Sequence, residues 1–210
     1  MRKYLLLLLL LFFTILMIRI TLAYIPIQTD VAFLRIKQDY IAEKHWLLSF
    51  FIHAFTSSFL LLAGFTQFST VLLKKYKQVH RIMGRLYVWN ILVLSGPASL
   101  IMGFYANGGL LSRVAFVSLS VLWIYFTFRG LVAAKQKNFV IHQEYLIRSY
   151  ALTLSAITLR AWKYAISNTF EVPPMDLYRI VAWLGWVLNL MIAEWIIYTI
   201  RKRRQTALLF

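Results

Sequence analysis

The chain has no cysteine among its 210 residues. Disulfides, zinc ribbons, iron–sulfur ligation and thiol catalysis are thereby excluded. Acidic residues are scarce: seven Asp and Glu stand against 23 Lys and Arg, for a formal net charge of +16. Charged residues make up only 14% of the chain and apolar residues 61%, where a soluble domain holds about 25% and about 45–50%. No Walker loop, dinucleotide fingerprint, HExxH or nucleophile elbow occurs. No loop is long enough for a soluble catalytic domain. The basic residues cluster between apolar runs and form no soluble basic face, which argues against a nucleic-acid partner. In a membrane protein the same excess reads as topology and as contact with anionic headgroups.

What the chain has is long apolar runs. Six segments can cross a bilayer: Tyr4–Ile25, Trp46–Val71, Leu86–Ala106, Val114–Ala134, Tyr145–Ile166 and Ile180–Ile200, each near the roughly 20 residues a crossing needs. The expected fold is an all-α integral membrane helical bundle of about six transmembrane helices, with a four-helix core in spans two to five. The expected organisation is a first helix and outer loop over 1–44, a core over 45–168, and a last loop, span and basic tail over 169–210.

Positive charge orients the spans. Arg2 and Lys3, then Lys74, Lys75, Lys77, Arg81 and Arg85, then Lys135 and Lys137, then Arg201 to Arg204 all fall on one side if six spans alternate. The positive-inside rule makes that side cytoplasmic, so a multi-pass cell-membrane protein with both termini inside is expected. Met1-Arg2-Lys3 followed by leucines resembles a signal-peptide start, but the apolar run is long for one and contains Arg19, so retention as a span is expected. Residues 26–45 mix charged and apolar positions and suit a short amphipathic helix lying on the bilayer. Pro97 beside Gly96 predicts a kink in the third span.

The residues with chemical potential are polar ones inside these runs. His142, Ser149, Thr153 and Arg160 are spaced 7, 4 and 7 apart, which puts them on one helical face over about 27 Å. Such a line is expensive against lipid and should face a protein interior. Span two carries Ser49, His53, Thr56, Ser57, Gly64 and Gln67 within one arc, and His80, Gly84 and Tyr87 share a face at the start of span three. Three readings compete for His80 and His142. They are interfacial polar residues meeting lipid phosphates; or axial ligands of a b-type haem, with Arg81, Arg85 and Arg148 pairing with its propionates; or ligands of a divalent metal, a site short of acids because only Glu144 and Glu194 are near. Gly84, Gly96 and Gly103 would let a macrocycle approach. Glu144 and Arg148 are spaced as a favourable i, i+4 pair. Glu194, the one acid well inside a span, needs a partner, with Arg148 and Arg85 as candidates.

The stretch His80-Arg81-Ile82-Met83-Gly84-Arg85-Leu86-Tyr87, then Gly108-Gly109, then His142 with Ile147-Arg148-Ser149-Tyr150 and Leu159-Arg160, resembles a family of bacterial membrane proteins catalogued as domain of unknown function 2306. The likeness covers about residues 45–165 and includes His53 and Gln67. Gln143 and Tyr145 stand where the family pattern has Arg and Trp. The resemblance implies a helical membrane unit and no reaction. Three functions follow as expectations: a haem b electron-transfer module with a redox partner; a small-solute transporter or receptor using His53, Gln67, Ser149, Thr153 and Arg160; or a structural membrane subunit.

Overall fold

The computed structural model describes residues 2–207. Met1, where the leader-like start begins, lies outside the described residues, as do the side chains of Arg2 and Lys3 that enter the charge argument. The chain is built from helices: α1 (Arg2–Leu22), a 3-10 helix (Ala32–Tyr40), α2 (Lys44–Gln67), α3 (Thr70–Lys75), α4 (Lys77–Trp89), a π-helical turn (Asn90–Ser95), α5 (Gly96–Phe104), α6 (Leu110–Lys135), α7 (Phe139–Thr153), α8 (Ser155–Thr169) and α9 (Pro174–Ala207). Among the described residues four helical stretches are long and apolar enough to cross a membrane: α2, the continuous run Lys77–Phe104, α6 and α9. The protein is an all-α membrane protein. The chain divides into two compact units, one ending at Tyr105 and one beginning at Ala106. That boundary falls inside the 45–168 segment that the sequence presents as one core.

In the first unit, α2 packs against α1, α4, the π-turn and α5. The 26–45 segment does not lie apart as a surface helix. Its 3-10 helix folds onto the start of α2, where Leu34, Tyr24, Trp46 and Phe50 form a buried aromatic cluster. Lys37 is drawn in with them and is only 2% exposed. Its ammonium donates to the Tyr105 carbonyl and sits 4.8 Å from the Tyr40 ring centre and 6.0 Å from that of Trp46. The aromatic faces and the carbonyl together replace water around the charge. This is why a residue that looks solvated in an amphipathic pattern is buried.

In the second unit, α6 and α7 form an antiparallel hairpin, and α9 packs along α6, α7 and α8. The expected fifth span, Tyr145–Ile166, is interrupted at Leu154. Ile157 N–H bonds to the Leu154 carbonyl at 2.9 Å, a three-residue step within an otherwise four-residue ladder. Hydroxyls on both sides bond back to the backbone, Thr153 to the Ser149 carbonyl and Thr158 to the Leu154 carbonyl. Such bonds bend helices. Asn189 of α9 stabilises the break by donating to the Ala151 carbonyl and to Thr158 Oγ1, both at 3.0 Å.

Candidate functional site

The first polar cluster is produced by Pro97. Its ring cannot follow Val93 in a regular α-helix, and its nitrogen donates nothing. The chain widens into a π-turn just before it, and Gly96 N–H reaches back five residues to the Ile91 carbonyl. The kink expected from Gly96-Pro97 is therefore a π-turn. Such turns gather at functional sites. Here it aims Asn90 and Ser95 at α2. Asn90 Nδ2 donates to the Thr56 carbonyl at 3.1 Å, and Ser95 Oγ donates to Asn90 Oδ1 at 2.7 Å. Thr56 Oγ1 lies 2.6 Å from Ser95 Oγ. His53 Nδ1 donates to the Ser95 carbonyl at 3.2 Å. Ser95 is fully buried. His53 and Thr56 belong to the polar arc legible in α2. Asn90 and Ser95 escape a sequence reading, whose one signal for them is the neighbouring Gly-Pro.

At the other end of α2, Gln67 Nε2 donates to the His80 carbonyl at 3.1 Å. His80 lies on α4, one turn after Lys77. A methyl group at Gly84 would sit 3.0 Å from Gln67 Oε1. The open side of Gly84 is thus filled by Gln67, and the room expected there for a macrocycle is taken. Arg81 and Arg85 are exposed on the same helix.

In the second unit the polar residues of α7 interlock with α6. His142 Nδ1 donates to the Gly130 carbonyl at 2.9 Å. Ser149 Oγ and Thr127 Oγ1 are 2.7 Å apart, and Trp123 Nε1 donates to Thr153 Oγ1 at 3.0 Å. Gly130 allows this close approach: a methyl group there would lie 1.9 Å from Leu146 Cδ2. The seam stops at the Leu154 break. Arg160, beyond it on α8, is exposed, and its Nη1 donates to the Ala156 carbonyl of its own helix at 2.7 Å. A neutral imidazole donating from Nδ1 carries its lone pair on Nε2, so the Gly130 carbonyl selects the His142 tautomer.

Charges join α7 to α9. Glu144 does not pair with Arg148 along α7 as its spacing suggests. It accepts two bonds from Arg201, at 2.7 and 2.5 Å. Arg148 instead makes two bonds to Glu194, at 2.5 and 2.8 Å. Residues four apart on α7 meet residues seven apart on the antiparallel α9, and bidentate geometry across the interface outcompetes the single-helix pair. Arg148 also lies over the Tyr145 and Phe126 rings, 5.5 and 5.9 Å from their centres. Two of its nitrogens are committed to Glu194, which weakens its expected role on a propionate.

Glu144 is buried and Arg201 is largely exposed. Replacing Arg201 by Ala strands a buried carboxylate, whereas Glu144→Gln leaves an arginine free to reach water. Thermal unfolding in detergent should therefore show the larger loss for Arg201→Ala. The exchange of the two charges in one variant should recover part of that loss.

Among the described residues no group of three or more His, Asp or Glu side chains comes together as a metal site. His80 belongs to the first unit and His142 to the second.

No curated protein and no solved structure matches the chain. A family model, described as predicted membrane protein DUF2306, matches residues 50–197. The match runs past the 45–165 stretch that carries the sequence resemblance, and it takes in Asn189 and Glu194, the α9 partners of the Leu154 break and of Arg148. The chain belongs to the DUF2306 family of membrane proteins.

Proposed function

We propose that this protein is an electron-transfer module of the cell membrane that holds a b-type haem with His142 as an axial ligand. One observation carries the reading: the His142 Nδ1 bond to the Gly130 carbonyl. That bond fixes the ring and directs the Nε2 lone pair outward from it, which is the second-shell arrangement an axial histidine needs. The Ser149–Thr127 and Thr153–Trp123 bonds hold α7 rigidly against α6 around it. Haem, when bound, supplies one-electron chemistry; the chain supplies tautomer, orientation and a low-dielectric surround. His142 fits this role, while Arg148 and Gly84, engaged by Glu194 and Gln67, do not serve it. The basic residues between spans support a cytoplasmic placement of both termini and of the connection preceding His142.

Protein purified after expression with haem supply should give a reduced-minus-oxidised spectrum of b type. His142→Ala should abolish it. Parallel His45→Ala, His53→Ala and His80→Ala variants identify the second ligand, for which His80 is the sequence-based choice. A flat spectrum from folded, haem-supplied protein refutes the proposal.

A second reading rests on the π-turn, where His53 joins Asn90, Ser95 and Thr56 inside a membrane span. Intramembrane histidine networks handle protons and solutes. A solute transporter or receptor built on it shows no visible absorbance, and its solute-dependent stabilisation is lost in His53→Ala.

A further inference from the structure

The second unit ends in charge that its own residues do not neutralise. From Ile180 to Ile200 α9 rises about 30 Å, one hydrocarbon core, so Arg201, Lys202, Arg203 and Arg204 follow at headgroup level. Arg201 and Arg204 bond Glu144 and Gln143 near the start of α7. The α6–α7 turn, with Lys135 and Lys137, therefore lies at the same end. The carboxylate found there, that of Glu144, is already bound by Arg201.

Arg204 differs from its basic neighbours. Its Nη2 donates to Gln143 Oε1 at 2.6 Å, which holds the guanidinium against α7. Its Nη1 is buried and has no acceptor among the described residues. A buried guanidinium N–H without an acceptor is costly, and a phosphoryl oxygen satisfies it with a charge-assisted bond. Lys202 and Arg203 remain exposed beside it, and at headgroup depth the phosphoryl groups at hand are those of lipids.

We infer that Arg204, oriented by Gln143 in the field of Lys135, Lys137, Lys202 and Arg203, binds the phosphoryl group of an anionic phospholipid headgroup. The site is independent of the haem reading and needs no cofactor for its test. The full chain in detergent is titrated with phosphatidylglycerol, with phosphatidylcholine and with inorganic phosphate, and retained lipid is counted by native mass spectrometry. Phosphatidylglycerol should be retained and phosphatidylcholine should not. Arg204→Gln should weaken phosphatidylglycerol binding about fivefold, the loss expected for one headgroup-facing cation. Gln143→Leu, which leaves the charge but frees the guanidinium, should weaken it as well and covers the case of a misfolded Arg204 variant. Equal losses in Arg203→Gln and Arg204→Gln would reduce the site to diffuse attraction and overturn the inference. Displacement of the lipid by inorganic phosphate at equal concentration would overturn the lipid assignment. Binding unchanged in both Arg204→Gln and Gln143→Leu would also overturn it.

Discussion

Gly185→Val should destabilise the second unit by about 3 kcal/mol, at the upper end of what overpacking usually costs. The reason is what a side chain would strike. A single methyl group at Gly185 would lie 2.9 Å from Leu159 Cβ and 3.1 Å from Leu159 Cα. Those atoms belong to the α8 backbone and its first side-chain carbon, so no rotamer change relieves the clash. α8 and α9 must separate. Separation also strains the Thr158 Oγ1 bond to the Gly185 carbonyl, at 2.5 Å, and the Asn189 bonds across the Leu154 break. Gly130→Ala makes a useful contrast. Its clash is with Leu146 Cδ2, the far end of a flexible side chain, so it should cost clearly less. Denaturant unfolding in mixed micelles measures both. Equal losses at the two glycines would contradict the packing described for α8 and α9.

Asn90→Leu should cost about 2 kcal/mol through the loss of two hydrogen bonds made by one side chain. The asparagine amide donates to the Thr56 carbonyl, and its oxygen accepts from the fully buried Ser95 hydroxyl. Leucine matches its size but leaves both partners without Asn90 as a bonding group. Single interhelical bonds in membranes are usually worth less than 1 kcal/mol, so a loss of this size requires the side chain to act as a node. Asn90→Asp keeps the acceptor for Ser95 and loses the donor to Thr56, so it should fall between wild type and Asn90→Leu. A double variant with Ser95→Ala should lose less than the sum of the two single variants. Additive losses would mean that Asn90 and Ser95 do not share a network.

Local signals led to the correct elements where the local term dominates. Apolar runs of the right length mark α2, α6 and α9, because backbone groups in lipid must be satisfied within the helix. Gly96-Pro97 marks the place of the π-turn, since proline removes a donor wherever it stands. The α7 spacing marks His142, Ser149 and Thr153, which do meet α6. Other features depend on partners distant in sequence. The break at Leu154 is completed by Asn189, thirty-five residues on. Glu144 has an arginine at the favoured helical spacing, yet Arg201 takes it because α9 offers a bidentate fork. Lys37 sits in a pattern that suits a surface helix, and only Trp46 from α2 and the Tyr105 carbonyl after α5 turn it inward. Nothing in residues 26–45 alone encodes that enclosure.

The central claim is that His142 is presented as a haem ligand, and bound haem per chain tests it most directly. Haem is extracted as its pyridine complex from purified, haem-supplied protein and divided by the protein concentration. Wild type should carry haem at a fixed whole-number ratio, His142→Ala should carry almost none, and Ser149→Ala, which leaves the ligand in place, should keep most of it. Haem content in His142→Ala equal to that of wild type, or none in a well-folded wild type, would contradict the account.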